Sequence, residues 1–349
     1  MPTLRQHRCA NGRTGVSTAS PHVTVVLPVY NSAATLERAI RSVLDQTFPS
    51  FELLVVDDGS TDGSLAVARG MASMDGRIVV VALPQNVGKA RAMNHAATIA
   101  RGAWLAVLDA DDRYLPARLA TLVEAGEAHG VDLVADNQLH SDDATGKVFR
   151  LAFTAPGAGR LVGISDFIAH SDPGAAFDFG ILKPMVRVDF LRRHGLAYHP
   201  GAKLAEDFYF LMEMFAAGAR GWLAHEPLYE WTLPFSPTAR RWTGTGSGAW
   251  RYDYRNALET NRHFQDKLKD AGRPEVIALL GQREREYRVM VHYLDAQRVL
   301  ADTGSRTRAF AIIAVHPGTW PLLARRVAGR LARAATRNRA PAAAPGSHV

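Results

Sequence analysis

Three carboxylates stand within four residues at Asp109-Ala-Asp111-Asp112, directly after the apolar run Trp104-Leu-Ala-Val-Leu108. A run of that length fits one strand covered on both faces, as in a parallel sheet. The acids then fall at the strand's carboxyl end, where open α/β sheets bind their ligands. They offer hard oxygen ligands to a divalent cation that keeps phosphate oxygens as its other partners. They equally suit an acidic turn before a helix expected near Pro116, because Asp favours turns and N-caps. A second acidic pair, Asp57-Asp58, closes the run Phe51-Glu-Leu-Leu-Val-Val56. Either carboxylate can accept a hydrogen bond from a pyrimidine N–H, or both can cap the helix opening at Thr61. Lys89 and Arg91 sit at the start of another helix. Cations there oppose the helix dipole, which suits a ligand-facing job such as diphosphate contact, with a solvated helix face as the equal alternative.

The elements that must position these groups alternate. Strands are expected at 23–27, 51–56, 77–83, 103–108 and 131–135. Helices are expected at 33–46, 61–73, 87–100 and 116–129. Strands and helices in this alternation indicate a mostly parallel sheet with helices on both faces. Right-handed crossovers bring the strands' carboxyl ends to one edge, so the two acidic clusters share a rim. The turn after the first strand reads Pro28-Val-Tyr30-Asn31-Ser32. It lacks the G-x-G-x-x-G of a dinucleotide fold, and also the glycine-rich turn of nucleotidyl transfer, a second enzyme class considered. A base pocket lined by side chains fits better. Pro28 and Tyr30 are its candidates, with Tyr30 stacking on a base, touching a ribose or standing as a plain rim aromatic. Beyond residue 140 the pattern becomes irregular. Helices are expected at 165–170, 206–217, 250–271, 274–302 and in parts of 307–337.

Pro28-Val-Tyr-Asn31, Val56-Asp-Asp-Gly-Ser-Thr-Asp62, Asn86-Val-Gly88 with Asn94, and Leu108-Asp-Ala-Asp-Asp112 occur in this order and spacing. Over residues 22–230 the chain thereby resembles a family 2 glycosyltransferase of the GT-A fold. The resemblance implies an α/β fold of GT-A type with a C-terminal helical extension. It implies inverting transfer of a sugar from a nucleotide donor, commonly a UDP-sugar. It also implies that Asp109 and Asp111 hold Mg²⁺ or Mn²⁺ on the diphosphate, with Asp109 at the ribose and Asp57 and Asp58 at the nucleobase. Asp112 is a weaker candidate in the same triplet. The family places a base about a hundred residues after the D-x-D, where this chain reads Ala205-Glu206-Asp207-Phe208. One carboxylate must take the acceptor hydroxyl's proton as that oxygen attacks. Asp207 is assigned as that base and Glu206 as its neighbour, against the alternative that both acids only favour a helix N-terminus. A downstream His is a third metal ligand in some such enzymes, and His225 is the position considered, against a satisfied or exposed His.

Phe179-Gly-Ile-Leu-Lys-Pro184 and Phe190-Leu-Arg-Arg-His194-Gly195 add a narrower likeness to non-processive exopolysaccharide glycosyltransferases of the succinoglycan type. These act on lipid-linked saccharides, which implies a lipid-linked or oligosaccharide acceptor. Processive relatives carry Q-x-x-R-W; here the place reads Thr238-Ala-Arg-Arg241-Trp242, with Thr for Gln. Arg241 and Trp242 remain candidates over the diphosphate, or ordinary loop residues.

Composition narrows the rest. At 349 residues, 47% hydrophobic and 21% charged, the chain reads as an ordinary soluble protein. Its single Cys9 excludes a disulfide framework. The first twenty residues lack the apolar segment of a signal peptide. The formal charge is +7, yet no acidic residue follows Asp302, and the eight arginines beyond it account for the excess. Nucleic-acid binding is therefore not expected. With Trp320, Leu323, Val327 and Leu331 on one helical face, the tail suits an anionic leaflet, or reads as a solvated extension. The expected organisation is a disordered tail at 1–20, a glycosyltransferase domain at 21–240 and a helical extension at 241–349. The expected location is cytoplasmic, peripheral on the inner membrane face where the tail binds lipid. A catalytically inactive domain that binds nucleotide or membrane is the alternative function.

Overall fold

The structure, a computed structural model, describes residues 20–171, 178–233, 254–270, 272–321 and 324. The chain divides into two compact units: Met1–Pro200 with Ala205–Arg251, and Gly201–Leu204 with Tyr252–Val349.

The first unit opens with the alternation read from the sequence. β1 (Val23–Val29), β2 (Phe51–Asp57), β3 (Ile78–Ala82) and β4 (Trp104–Val107) are joined by α1 (Ala33–Leu44), α2 (Ser64–Met74) and α3 (Lys89–Ile99). These strands lie in the order β3-β2-β1-β4, all parallel. The chain thus starts in the middle, moves outward twice, then reverses to the other side of β1. Because crossovers are right-handed, that reversal moves the connecting helix to the opposite face. Val23, Val25, Leu27 and Val29 of β1 pack with Leu36, Ile40 and Val43 of α1 and Met71 of α2. α3 packs on β1 and β2 with Ala90, Ala92, Met93 and Ala96 buried, outside that cluster. A ligand crevice is expected at the carboxyl edge of such a switch.

The second half of the sheet departs from simple alternation. β5 (Arg113–Tyr114), α4 (Arg118–His129), β6 (Leu133–Asp142), β7 (Val148–Leu151), β8 (Gly159–Val162) and α5 (Ile164–His170) come first. β9 (Met185–Arg187), α6 (Val188–His194), α7 (Glu206–Ala216) and β10 (Gly221–Leu233) follow. The sheet continues β4-β9-β6-β10-β5, with β9 antiparallel to both neighbours and β10 parallel to β6. β7, β8 and β10 correct the expectation of an irregular region past residue 140. β10 is a 13-residue strand whose sequence contains Pro227, and Pro lacks the N–H that a ladder needs. The structure accommodates it where the β10–β6 register shifts, between Ala224 and Tyr229.

Two buried residues tie this half together. Trp104 is fully buried, donates Nε1–H to Glu127 at 3.1 Å and lies 4.3 Å beneath the Arg187 guanidinium. A Cβ on Gly126 would stand 2.6 Å from its ring, so only glycine lets α4 approach there. Arg118, also fully buried, pairs with Asp136 at 2.7 Å and packs 4.1 Å from the Tyr114 ring.

In the second unit, α8 (Tyr254–Leu268) and α9 (Pro274–Thr303) pack together, with Asn261 Nδ2–H donating to the Leu280 carbonyl at 2.8 Å. α10 (Arg306–Ala314) packs on α9 through Ala296, Ala309 and Ile313. No described helix is long and apolar enough to cross a membrane.

Trp104→Ala is expected to cost about 3–5 kcal/mol of stability, the usual penalty for emptying a large aromatic site. Urea unfolding followed by circular dichroism measures it, and a loss below about 1 kcal/mol would contradict the packing described.

Candidate active site

The sheet's carboxyl edge gathers charges from four separate elements. Asp109 follows β4, Lys89 opens α3, Lys183 precedes β9, and Glu206 and Asp207 open α7. The Lys89 ammonium lies 3.0 Å from Asp109, 3.2 Å from Glu206 and 3.1 Å from Asp207. The Lys183 ammonium lies 2.8 Å from Asp109 and also contacts Asp207. Burial pushes the Asp109 and Asp207 carboxyls up, but the two lysines overcome it and hold both below the usual carboxylate range. Burial likewise disfavours the Lys89 ammonium, and the surrounding carboxylates raise it well above an ordinary lysine. Asp109, Asp207 and Lys89 are therefore charged at neutral pH.

Local backbone sets the geometry. Ala205, just before α7, adopts φ 60° and ψ 32°, the left-handed region that a Cβ disfavours. That strained turn starts α7 with Glu206 and Asp207 in its first turn, where the helix dipole favours anions. Asn94 of α3 holds the loop leading there: its side chain donates to the Tyr198 carbonyl at 2.7 Å and accepts from the Tyr198 N–H at 2.8 Å.

The second acidic pair divides its work. Asp58 accepts the N–H groups of Val87 and Gly88 at 2.7 and 2.9 Å, so its oxygens are committed to the turn before α3. Asp57 accepts the Ser60 N–H through Oδ2 at 3.2 Å, while its Oδ1 is buried without a hydrogen-bond partner among the described residues. A buried carboxylate oxygen left open beside a rim is a position for a ligand N–H. Gly59, at φ 68°, makes the tight turn that follows the pair; a Cβ there would stand 2.6 Å from the Gln85 backbone. Pro28 lies in β1 beside Val56 of β2, and Tyr30 stands half-exposed at the end of β1.

The acidic triplet separates into three environments. Asp109 joins the lysines. Asp111 is exposed, its carbonyl accepts from Arg38 at 2.9 Å, and its carboxylate makes no ion pair among the described residues. Asp112 turns inward: it is fully buried and accepts the Tyr229 hydroxyl at 2.5 Å and the Thr232 N–H at 2.8 Å. Burial, then the charges of Asp111 and Asp109, push its carboxyl well up. Asp112 therefore anchors β10 beneath the rim rather than facing a ligand.

Two further expectations are corrected. Arg91 folds back to donate to the Val87 carbonyl at 3.2 Å, in the turn before α3, and forms no ion pair among the described residues. His225 sits apart in a groove of about 380 Å³ lined by Asn137, Phe153 and Pro156; its Nδ1 donates to the Pro156 and Gly157 carbonyls at 2.8 and 3.1 Å. Arg241 and Trp242 lie outside the described residues. Lys183 is the group that reading the sequence missed. Its signal was a lone cation in the otherwise uncharged stretch Phe179-Gly-Ile-Leu-Lys-Pro184.

Among the described residues no three His, Cys, Asp or Glu side chains converge as a metal cage. Mg²⁺ and Mn²⁺ do not need one, since they take one or two carboxylates and complete their shell with phosphate oxygens and water. The uncommitted Asp111 carboxylate beside Asp109 fits that chemistry.

The family described as "Glycosyl transferase family 2" matches residues 24–180. The succinoglycan biosynthesis protein ExoU of Rhizobium meliloti (strain 1021) is 30% identical over 314 residues, 87% of this chain and 86% of that protein. The crystal structure of S. aureus TarS 1-349 in complex with UDP-GlcNAc superposes with a TM-score of 0.59 at 20% identity, covering 85% of this chain and 78% of that chain. The mannosyltransferase PcManGT from Pyrobaculum calidifontis, in complex with GDP-Man and Mn²⁺, gives a TM-score of 0.54 at 23% identity, covering 90% of this chain and 81% of that one. On sequence and fold together, the chain belongs to glycosyl transferase family 2.

Proposed function

We propose that this family 2 glycosyltransferase moves a sugar from a UDP-sugar to a lipid-linked saccharide, with inversion, in exopolysaccharide or cell-surface glycan synthesis. The observation that carries the reading is the bridging of Asp109 to Asp207 by Lys89 and Lys183 at the sheet's carboxyl edge. It supports a donor-side acid and an acceptor-side base held within one pocket. The likeness to ExoU, a succinoglycan biosynthesis protein, supports a role in polysaccharide synthesis.

In this reading the open Oδ1 of Asp57 accepts the uracil N–H, while Pro28 and Tyr30 line the base and ribose. Asp109 and Asp111 would hold Mg²⁺ or Mn²⁺, which when bound would supply Lewis-acid stabilisation of the departing diphosphate. Lys89 adds a fixed ammonium beside that charge. Asp207 takes the acceptor hydroxyl's proton as its oxygen bonds to C1 of the sugar. The C1–O bond to the diphosphate breaks, and the electron pair leaves with UDP. One in-line displacement inverts the anomeric centre. Glu206 orients the acceptor beside Asp207. The catalytic domain is assigned to residues 21–240 and the helical extension to 241–349. The arginines after Asp302 would bring that extension to an anionic leaflet, where lipid-linked acceptors reside.

Calorimetric titration with UDP is expected to show metal-dependent binding that is lost in Asp111→Ala. Asp57→Asn should weaken it about tenfold, as for one charged hydrogen bond. No nucleotide binding by folded protein with Mn²⁺ present would overturn the reading. Asp207→Asn should retain UDP binding and lose about 10²–10⁴-fold in turnover, the usual contribution of a general base. Undiminished turnover would remove Asp207 from the role. Deleting residues 305–349 should abolish flotation with phosphatidylglycerol vesicles, and unchanged flotation would exclude the tail as the anchor.

A further inference from the structure

Lys183 belongs to none of the roles assigned above, yet its side chain is only 10% exposed. A lysine this deeply placed in a site is unusual unless its charge is fully paired. Here it is paired twice, with a carboxylate oxygen of Asp109 at 2.8 Å and with Asp207. One nitrogen therefore links the carboxylate on the donor side to the carboxylate on the acceptor side. Lys89 reaches the same two acids but divides its hydrogen bonds with Glu206 as well.

The backbone beneath Lys183 is unusually fixed. Its carbonyl accepts a hydrogen bond from Arg118 at 2.5 Å, and Arg118 is fully buried and itself held by Asp136. Pro184 follows, which restricts Lys183 to extended backbone. Met185 then enters β9, hydrogen-bonded between β4 and β6. The stem of this lysine thus rises from the sheet, whereas Asp207 rides on a helix that begins at a strained, non-glycine turn at Ala205.

We infer that Lys183 is a positioning residue, whose sheet-anchored ammonium holds Asp207 at a set distance and angle from the donor bound against Asp109. The inference rests on the transfer reaction proposed above and adds to it a residue with no proton to give and no bond to make. A flexible carboxylate at the start of α7 would sample many orientations toward an acceptor hydroxyl. One oxygen tethered to a nitrogen that also tethers Asp109 leaves the other oxygen aimed at the acceptor. Misplacement by about 1 Å is enough to cost on the order of 10²-fold in rate.

The test uses the full-length enzyme, Mn²⁺ and the UDP-sugar that it turns over, with Lys183→Met and Lys183→Arg compared by steady-state kinetics. Lys183→Met is expected to lower kcat about 10²-fold while the donor KM changes less than about threefold, the signature of an interaction spent on the reacting geometry. Lys183→Arg, which restores a cation, should recover at least about tenfold of that loss. If the methionine variant does not fold, Lys183→Gln carries the same comparison. A raised donor KM at unchanged kcat would make Lys183 a donor-binding group and overturn the inference, and so would kinetics identical to the natural protein. Equal losses in the Met and Arg variants would also overturn it. If the unaltered enzyme transfers and hydrolyses no nucleotide sugar, the proposed reaction itself fails, and the inference falls with it.

Discussion

A carboxylate or an ammonium group removed from water must find an opposite charge. At the carboxyl edge of this sheet three carboxylates and two ammonium groups satisfy that requirement together. Asp109, Glu206 and Asp207 supply the acids; Lys89 and Lys183 supply the cations. Only two of the four elements that carry them, α3 and β4, are consecutive in the chain. The pairing closes only when α3, the end of β4, the segment before β9 and the start of α7 are all docked. The charge balance of the site and the completion of the fold are thus one event.

The surrounding structure reads as support for that balance. The reversal between β3 and β4 sets the carboxyl end of β4, and Asp109 after it, beside β1. Arg118, paired with Asp136 under the sheet, fixes the backbone of Lys183. Asn94 clamps Tyr198 and so the approach to α7. Tyr229 accepts the Asp109 N–H at 3.3 Å and donates its own hydroxyl to Asp112, which joins the rim to β10. Even the strain at Ala205 fits, since an uncommon backbone conformation persists only where its surroundings over-determine it.

Identical residues take different work from their surroundings. Asp57 and Asp58 are neighbours, yet one is consumed by two backbone amides and the other keeps an oxygen open. Asp109, Asp111 and Asp112 span four residues and end respectively in an ion-pair cluster, at the surface and in the core. A chain leaving a strand turns sharply, so successive side chains point in unrelated directions. The order of the residues cannot tell which of them will meet a partner.

Much of this was legible beforehand. The alternation over residues 22–142 followed from apolar runs, helical periodicity and punctuation by Gly, Pro and Asp, all short-range signals. That both acidic clusters lie on one rim followed from crossover handedness. The ordered motifs identified the family. What the sequence could not contain was whatever depends on distant segments meeting. β10 stayed hidden because its Pro227 and charged residues obscure a strand until β6 is beside it. His225 looked available for a ligand because local sequence does not reveal that the Pro156 and Gly157 carbonyls will take its hydrogen bond. Lys183 looked ordinary because its partners lie 74 positions before it and 24 after. Local order decides which groups the chain carries and which elements present them. Only tertiary packing decides which charges become neighbours, because in a folded interior each charge is settled by what lies within a few ångströms, however far apart in sequence.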